Sequence, residues 1–198
     1  MAVLAIGAHP DDIEFGCYAT LLKFKDVHIL VMSAGELSGN PGKRVEEALK
    51  SAGMIGANVE IWGYPDTSIP LDGNILARLR KHVDEIKPSI IFAPYGHDTH
   101  QDHRHVAQLA EAACNNVEKL LQYELPSTKT DFVPNVFYDV TTEFISKVEA
   151  LECHESQMSK PYFNKRVIEN IARFRAFQCK RYGMLCEAFY GNKIIEET

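Results

Sequence analysis

Four short apolar segments alternate with longer segments in which apolar residues recur every three or four positions. The apolar segments cover residues 2–7, 27–33, 58–62 and 89–93, and Val, Ile and Leu dominate them. Apolar runs of this length are typical of strands that are buried on both faces of a sheet. We therefore expect four central strands in the first half of the chain.

The segments between these runs predict amphipathic helices, because their apolar residues fall on one face of a 3.6-residue period. The three faces comprise Val45, Ala48, Leu49, Ala52 and Ile55; Ile75, Leu79, Val83 and Ile86; and Val106, Leu109, Ala110 and Ala113. Strands that alternate with helices predict a parallel sheet with right-handed crossovers. The predicted fold class is α/β, a Rossmann-like, mostly parallel sheet flanked by helices.

The last third of the chain is less regular. Residues 121–132 include Pro126, Ser127 and Thr128 and predict a loop, whereas residues 135–140 predict a strand. Apolar spacing predicts two further helices, over residues 144–151 and 167–174. A length of 198 residues suits one core, so we expect a single domain over residues 1–198.

Composition narrows the possible partners and the compartment. The net charge is −6 and no long basic run occurs, which disfavours binding to nucleic acid. No apolar stretch approaches the roughly 20 residues that span a bilayer, so we expect no membrane span. The five cysteines are scattered without a CxxC pair, which favours buried free thiols in a reducing cytoplasm over disulfides or a Cys-ligated zinc.

Polar residues capable of chemistry follow each predicted strand. The first strand leads into residues 9–12 (HPDD), the second into Gly35-Glu36 and then Arg44, and the third into residues 64–66 (YPD). The fourth leads into residues 97–103 (HDTHQDH). Ligands of open α/β sheets bind beyond the carboxyl ends of the strands, so we expect these loops to form one site.

His9, Asp12 and His103 are the candidate metal ligands. Two imidazoles and one carboxylate make a three-ligand zinc site whose fourth position is open for water, and zinc lowers the pKa of such a water to about 7. Asp11 is then free to act as general base. His100, one helical turn before His103, is placed to stabilise an oxyanion and to protonate a leaving amine.

Other interpretations of the same residues remain open. Asp11 and Asp12 could cap the helix that follows them. Two histidines and a carboxylate also hold Fe²⁺ in oxygenases, so iron or another divalent metal could replace zinc. A dinucleotide site is disfavoured, because residues 7–12 do not form GxGxxG and their acids repel phosphate.

The residues at 8–12 (AHPDD) with Glu14 and Gly16-Cys17, followed by residues 100–104 (HQDHR), resemble the PIG-L/LmbE-like zinc N-deacetylases. Weaker matches extend over most of the chain: Gly35-Glu36, Arg44 with Glu47-Ala48, and residues 63–66, 138–140, 154–157 and 173–178. Tyr18-Ala19 and Gln101 depart from the usual family pattern, but neither departure removes a candidate ligand.

The resemblance implies hydrolysis of an N-acetyl amide on an amino sugar or its conjugate, with His9, Asp12 and His103 holding one divalent metal. It implies that Asp11 is the base, that His100 is the electrostatic catalyst, and that Asp102 orients His100 through a hydrogen bond. It places Arg44 and Asp66 where relatives contact sugar hydroxyls or nearby polar groups. It also implies a homo-oligomer. The competing hypothesis is a non-catalytic, metal-containing module that binds a sugar or nucleotide.

Overall fold

The computed structural model describes residues 1–195 and contains one seven-stranded sheet. Its strands are β1 (Ala2–Gly7), β2 (Asp26–Ser33), β3 (Asn58–Tyr64), β4 (Ile90–Pro94), β5 (Lys119–Tyr123), β6 (Val136–Asp139) and β7 (Cys186–Ile194). Its α-helices are α1 (Asp12–Gly16), α2 (Tyr18–Leu21), α3 (Pro41–Gly53), α4 (Gly73–Ile86), α5 (Gln101–Ala113), α6 (Phe144–Glu152) and α7 (Lys165–Gln178). Short 3₁₀ turns lie at Glu36–Ser38 and Glu155–Gln157.

The strand order across the sheet is β3-β2-β1-β4-β5-β7-β6. Strands β1 to β5 pair in parallel, and β7 runs antiparallel to both of its neighbours, β5 and β6. The predicted α/β class with a mostly parallel sheet is confirmed.

Alternate residues of the central strands supply two separate cores, one on each face of the sheet. Leu4 and Ile6 of β1 pack with residues of α4 and α5, whereas Val3 and Ala5 pack with residues of α1, α2 and α3. Successive side chains of a strand point to opposite faces, so a strand covered on both faces needs apolar residues at every position. This requirement explains the uninterrupted apolar run at 2–7.

The position of the site follows from the strand order. After β1, the chain builds outward to β2 and β3 on one side, and it later returns to place β4 on the other side of β1. The order therefore reverses between β1 and β4. Loops that leave the carboxyl ends of two such strands diverge to opposite faces and leave a crevice between them.

The structure differs from the predictions at two places in the last third. The predicted loop at 121–132 starts too early, because β5 runs to Tyr123 and its side chains there are buried. Strand β7 was not predicted, and it is the strand that joins β6 to the sheet. Its second half alternates between exposed and half-buried residues, so it lacks the continuous apolar run that marks the parallel strands.

All five cysteines are free thiols and four of them are buried, as predicted. Burial raises the pKa of the Cys17 thiol well above its usual range, which keeps this thiol protonated and unreactive. Over residues 1–195, every helix is too short or too polar to cross a bilayer.

Gly16 lies against an aromatic ring that is fixed from its other end. A methyl group at Gly16 would lie 2.1 Å from Cδ2 of Tyr123, and the Tyr123 hydroxyl donates a hydrogen bond to the Ile6 carbonyl at 2.7 Å. We predict that Gly16→Ala lowers the free energy of unfolding by roughly 1–3 kcal/mol, the usual cost of overpacking. Urea denaturation measures this change.

Gly53→Ala is the matched control for this prediction. Gly53 is the last residue of α3, and a methyl group there would meet no atom within 4 Å. The control should leave stability unchanged or raise it by up to about 1 kcal/mol, because alanine favours helix. Equal stability of both variants would contradict the packing explanation.

Candidate metal centre and active site

The turn after β1 is held together by the carboxylate of Asp12. Its Oδ2 accepts hydrogen bonds from the backbone N–H groups of Ala8 at 2.8 Å and His9 at 2.9 Å. Asp11 adopts φ 110°, which non-glycine residues rarely do, and its side chain makes no capping hydrogen bond. Strained backbone of this kind is concentrated at functional sites, and helix capping does not account for Asp11.

His9 is oriented by two acids from other loops. Its Nε2 lies 3.0 Å from Oδ1 of Asp66 and 3.1 Å from Oδ2 of Asp102. Its Nδ1 lies 3.8 Å from Oδ2 of Asp12. Because Nε2 is engaged by carboxylates, Nδ1 is the nitrogen available as a metal ligand.

His103, in the first turn of α5, is oriented in the same way but by the opposite nitrogen. Its Nδ1 lies 3.2 Å from Oδ1 of Asp98 and 3.1 Å from Oγ of Ser127. Its Nε2 lies 3.4 Å from Oδ1 of Asp12, is buried, and has no hydrogen-bond partner. Metal-binding histidines usually give their second nitrogen to a carboxylate, and an unpaired buried nitrogen fits a metal ligand.

The donor set therefore suits a divalent metal. Asp12 lies 3.8 Å from Nδ1 of His9 and 3.4 Å from Nε2 of His103. Two groups of side chains without Asp12 also have ligand atoms within 4.8 Å of one another: His9 with His100 and His103, and His9 with Asp66, His100 and Asp102. Two imidazole nitrogens with one carboxylate are ligands that Zn²⁺ and Fe²⁺ both accept. The residues fit a bound metal without choosing between these ions.

The charges of His9, His103 and Asp12 influence one another's protonation. Burial by itself would lower the pKa of His9, but hydrogen bonds with Asp102 and Asp66 and the charge of Asp12 outweigh it and raise the pKa to about 9. The pKa of His103 likewise rises to about 10, because Asp12 and Asp98 outweigh its burial. Burial opposes ionisation of Asp12, yet His103 and His9 lower the pKa of its carboxyl.

His100 precedes α5 and lines the same pocket. Its Nδ1 accepts a hydrogen bond from the backbone N–H of Asp102 at 3.2 Å. Burial and the charges of His103 and His9 lower the pKa of His100, so its neutral form is favoured. With Nδ1 as acceptor, the neutral ring carries its hydrogen on Nε2 and can donate it.

Asp102 forms a hydrogen bond with His100 through its backbone N–H, while its carboxylate has other partners. The carboxylate of Asp102 faces His9 and accepts from the backbone N–H groups of Thr67 at 2.8 Å and Ile69 at 3.2 Å. Asp102 lies in the first turn of α5, where backbone N–H groups point back toward the cap residue His100, which explains why the backbone makes this bond.

Arg44 and Asp66 line the pocket, but other parts of the protein engage both Nη groups of Arg44 and the carboxylate of Asp66. The Arg44 guanidinium is 2% exposed and donates to the carbonyls of Gly35 at 2.9 Å and Pro10 at 2.6 Å. It also lies 3.5 Å from Oδ2 of Asp11. Asp66 contacts His9 and accepts from the Leu37 N–H at 3.2 Å. Their direct contact with a sugar stays a prediction, whereas their support of Asp11 and His9 is visible.

Asp11 sits between opposing influences. Burial and the charge of Asp12 raise the pKa of its carboxyl to about 6, although Arg44 opposes this rise.

Tyr18, one of the two departures from the family pattern, packs away from the pocket, since its hydroxyl donates to the Ser51 carbonyl at 2.7 Å. Gln101, the other, donates to the Thr67 carbonyl at 3.0 Å.

The pocket has a volume of about 330 Å³. It brings together seven of the eight predicted site residues: His9, Asp11, Asp12, Arg44, Asp66, His100 and His103. Sequence reasoning missed Ser38, Ser127, Lys160 and Tyr162, which also line it, and Asp98 beneath it. The sequence around Asp98 offered a signal, because it stands among the histidines of the fourth loop. The other four lie in segments that carry no recognisable motif.

Comparison with known proteins places the chain in a family. The family described as PIG-L, GlcNAc-PI de-N-acetylase, matches residues 4–114, more than half of the chain. Over 167 residues the chain is 34% identical to YaiS, an uncharacterized deacetylase of Escherichia coli (strain K12), with 78% of this chain and 90% of that protein covered. The chain belongs to the PIG-L family of de-N-acetylases.

Solved structures share the fold at lower identity. The N,N′-diacetylchitobiose deacetylase of Pyrococcus horikoshii is 23% identical, with a TM-score of 0.81 over 96% of this chain and 83% of that one. GalB of Pseudomonas putida KT2440, a 4-carboxy-2-hydroxymuconate hydratase, is 20% identical, with a TM-score of 0.83 over 100% of both chains. Because these two relatives catalyse different reactions, the fold alone does not identify the chemistry.

The contact between Asp98 and His103 can be tested through metal affinity. We predict that Asp98→Ala weakens zinc binding by roughly 10–100-fold, the usual effect of removing a carboxylate behind a ligating histidine. Competition with a chromophoric chelator measures the affinity. Asp131→Ala is the matched control, since Asp131 pairs with Nδ1 of the exposed His97 at 2.8 Å outside the pocket. Equal affinities in both variants would contradict the assignment.

The protonated histidines predict how stability changes with pH when metal is absent. The pKa values of His9 and His103 are about 9 and about 10 in the folded protein, against about 6.5 unfolded. The stabilisation that protonated His9 and His103 give the folded protein is fully present below about pH 6.5, decreases above it, and is lost once the pH has passed about 9 to 10. The free energy of unfolding of chelator-treated protein should therefore fall over this range. The metal-loaded protein, whose ligands hold no proton, should show no such fall.

Proposed function

We propose that the protein hydrolyses an N-acetyl amide on an amino sugar or amino-sugar conjugate, with zinc or another divalent metal held by His9, Asp12 and His103. The observation that carries the proposal is the division of labour between adjacent acids. Both acids line the pocket, but Asp12 lies next to His9 and His103, whereas Asp11 lies beside Arg44. Membership of a de-N-acetylase family supports the same activity.

The bound metal would supply Lewis acidity toward the amide carbonyl and would acidify a water molecule. In the proposed reaction, the Asp11 carboxylate accepts a proton from the attacking water and later delivers it to the departing amine nitrogen. A base with a pKa near the working pH does this most efficiently. Arg44 keeps Asp11 in place through the Pro10 carbonyl and through its own charge.

Of the two roles expected for His100 from the sequence, the proposed chemistry keeps stabilisation of the oxyanion and gives protonation of the amine to Asp11, because a lowered pKa favours the neutral ring of His100. Its neutral ring donates a hydrogen bond from Nε2 to the oxygen of the amide carbonyl, where negative charge develops. A donor that is already oriented costs no reorganisation during the reaction. The backbone N–H of Asp102 fixes the ring tautomer, so Asp102 positions His100 through its main chain and His9 through its side chain.

The pair of adjacent acids gives the sharpest test. Asp12→Ala removes a ligand, so metal content and activity should fall together. Asp11→Asn cannot accept a proton but tolerates positive φ, so metal content should survive while kcat falls by roughly 10²–10⁴. Metal analysis and amine release from N-acetylglucosamine conjugates are measured on the same preparations. Full activity in Asp11→Asn would sink the general-base assignment.

A further inference from the structure

A second cavity of about 260 Å³ lies beside the polar pocket, and its wall is mostly apolar. The apolar part of the wall comes chiefly from α6, α7 and β7 and from the segment around Phe15. Phe144, Ile168, Ala172 and Ala188 are among its buried members. Helices α6 and α7 and strand β7 lie in the last third of the chain, whereas Phe15 lies on α1, the helix that begins with the predicted ligand Asp12.

The two cavities meet. Phe15, Pro126 and Tyr162 line both of them. Phe15 lies on α1, one turn after Asp12, and Pro126 precedes Ser127, which contacts His103. The apolar cavity therefore lies directly beside the polar pocket, with these three residues at their common border and the predicted metal ligands close by.

The charged residues of the apolar cavity are paired within the protein. Lys147 lies 2.5 Å from Oε1 of Glu187, and its Nζ also donates to the Phe15 carbonyl. Oε1 of Glu124 accepts from Nε of Arg175 at 2.7 Å. Paired charges of this kind leave little to attract a polar ligand, so the cavity suits an apolar group.

The polar pocket, unlike the apolar cavity, has polar side chains that could bind sugar hydroxyls. Ser38, Asp66 and Lys160 line the polar pocket and not the apolar cavity. An amide joins an amine part to an acyl part, and in the proposed substrate the amine part is a sugar. The hydroxyl-rich half then matches the polar pocket, which leaves the acyl half for the apolar cavity.

We propose that the apolar cavity receives the acyl chain of the substrate, so that the protein prefers N-acyl amino sugars whose acyl group is longer than acetyl. This inference rests on the proposed hydrolysis of an N-acyl amino sugar and replaces acetyl with a longer chain as the preferred acyl group. Val167 and Ile171 of α7 line the cavity while remaining 41% and 45% exposed. An acyl chain would cover these apolar side chains when it binds.

The test compares glucosamine carrying N-acetyl, N-butanoyl and N-hexanoyl groups, with amine release as the common readout for the metal-loaded protein. Each buried methylene is worth about fourfold in binding. We expect kcat/KM for the N-hexanoyl substrate to exceed that for N-acetyl by at least about tenfold. A higher kcat/KM for N-acetyl would overturn the proposal.

Substitutions in the wall of the apolar cavity test whether the preference for the N-hexanoyl substrate arises there. Ile171→Ser makes the mouth polar, and Ala172→Leu fills the interior; both should bring the ratio of N-hexanoyl to N-acetyl activity close to one without lowering N-acetyl hydrolysis. Ile145→Ser is the matched control, because Ile145 is an isoleucine on α6 that is 51% exposed and lies outside the cavity wall. A control that loses the preference equally would overturn the assignment.

Binding calorimetry with the same compounds separates this inference from the proposed function. If no amide is cleaved but N-hexanoylglucosamine binds more tightly than N-acetylglucosamine, and Ile171→Ser removes the difference, the hydrolase proposal fails and the cavity assignment stands. Equal binding overturns the assignment. So does tighter binding of hexyl N-acetylglucosaminide without any gain from an N-hexanoyl group, since the cavity then holds the other end of the substrate.

A second copy of the chain could instead cover the exposed side chains of Val167 and Ile171 at the edge of the apolar cavity. Sedimentation of the wild type and Ile171→Ser decides this point. If the substitution dissociates an oligomer and leaves the acyl preference unchanged, the exposed side chains of α7 form a subunit interface and the proposal is overturned.

Discussion

The burial of charge at the end of β1 is the constraint on which the site depends. Three carboxylates, those of Asp12, Asp66 and Asp102, lie within 4 Å of His9, where water has little access. Buried carboxylates are costly unless cations or hydrogen-bond donors compensate them. Protonation of His9 and His103, whose pKa values are raised by these acids, supplies that compensation. The acids around the two histidines therefore favour positive charge at this position.

Gly35 and Arg44, which match family landmarks in the sequence, hold two loops of the site in position. A methyl group at Gly35 would lie 2.0 Å from Nη1 of Arg44, and Gly35 adopts φ 69°. The absence of a side chain at Gly35 lets the Arg44 guanidinium donate to the Gly35 carbonyl in the loop after β2. The same guanidinium donates to the Pro10 carbonyl in the loop after β1. Gly35 and Arg44 therefore help to orient Asp11. A sequence motif cannot show whether such a residue orients a catalytic side chain or contacts the substrate itself.

The sequence was sufficient to predict the parallel half of the fold and the convergence of the ligand loops. Strands buried on both faces leave a strong apolar signal, and the carboxyl ends of parallel strands share one edge of the sheet. The contacts of Asp66 and Asp102 with His9 were beyond such reasoning, because they depend on how three loops turn after leaving their strands. Strand β7 escaped prediction because its pairing is antiparallel and its second half is partly exposed.

The order of strands at the far edge of the sheet also constrains how the protein folds. β6 pairs only with β7 among the described strands, and β7 follows it by more than one helix along the chain. β6 therefore has no place in the sheet until β7 has docked against β5. The wall that β7 gives to the apolar cavity likewise depends on this docking. The shape of the cavity is therefore set by contacts between segments that are far apart in the sequence.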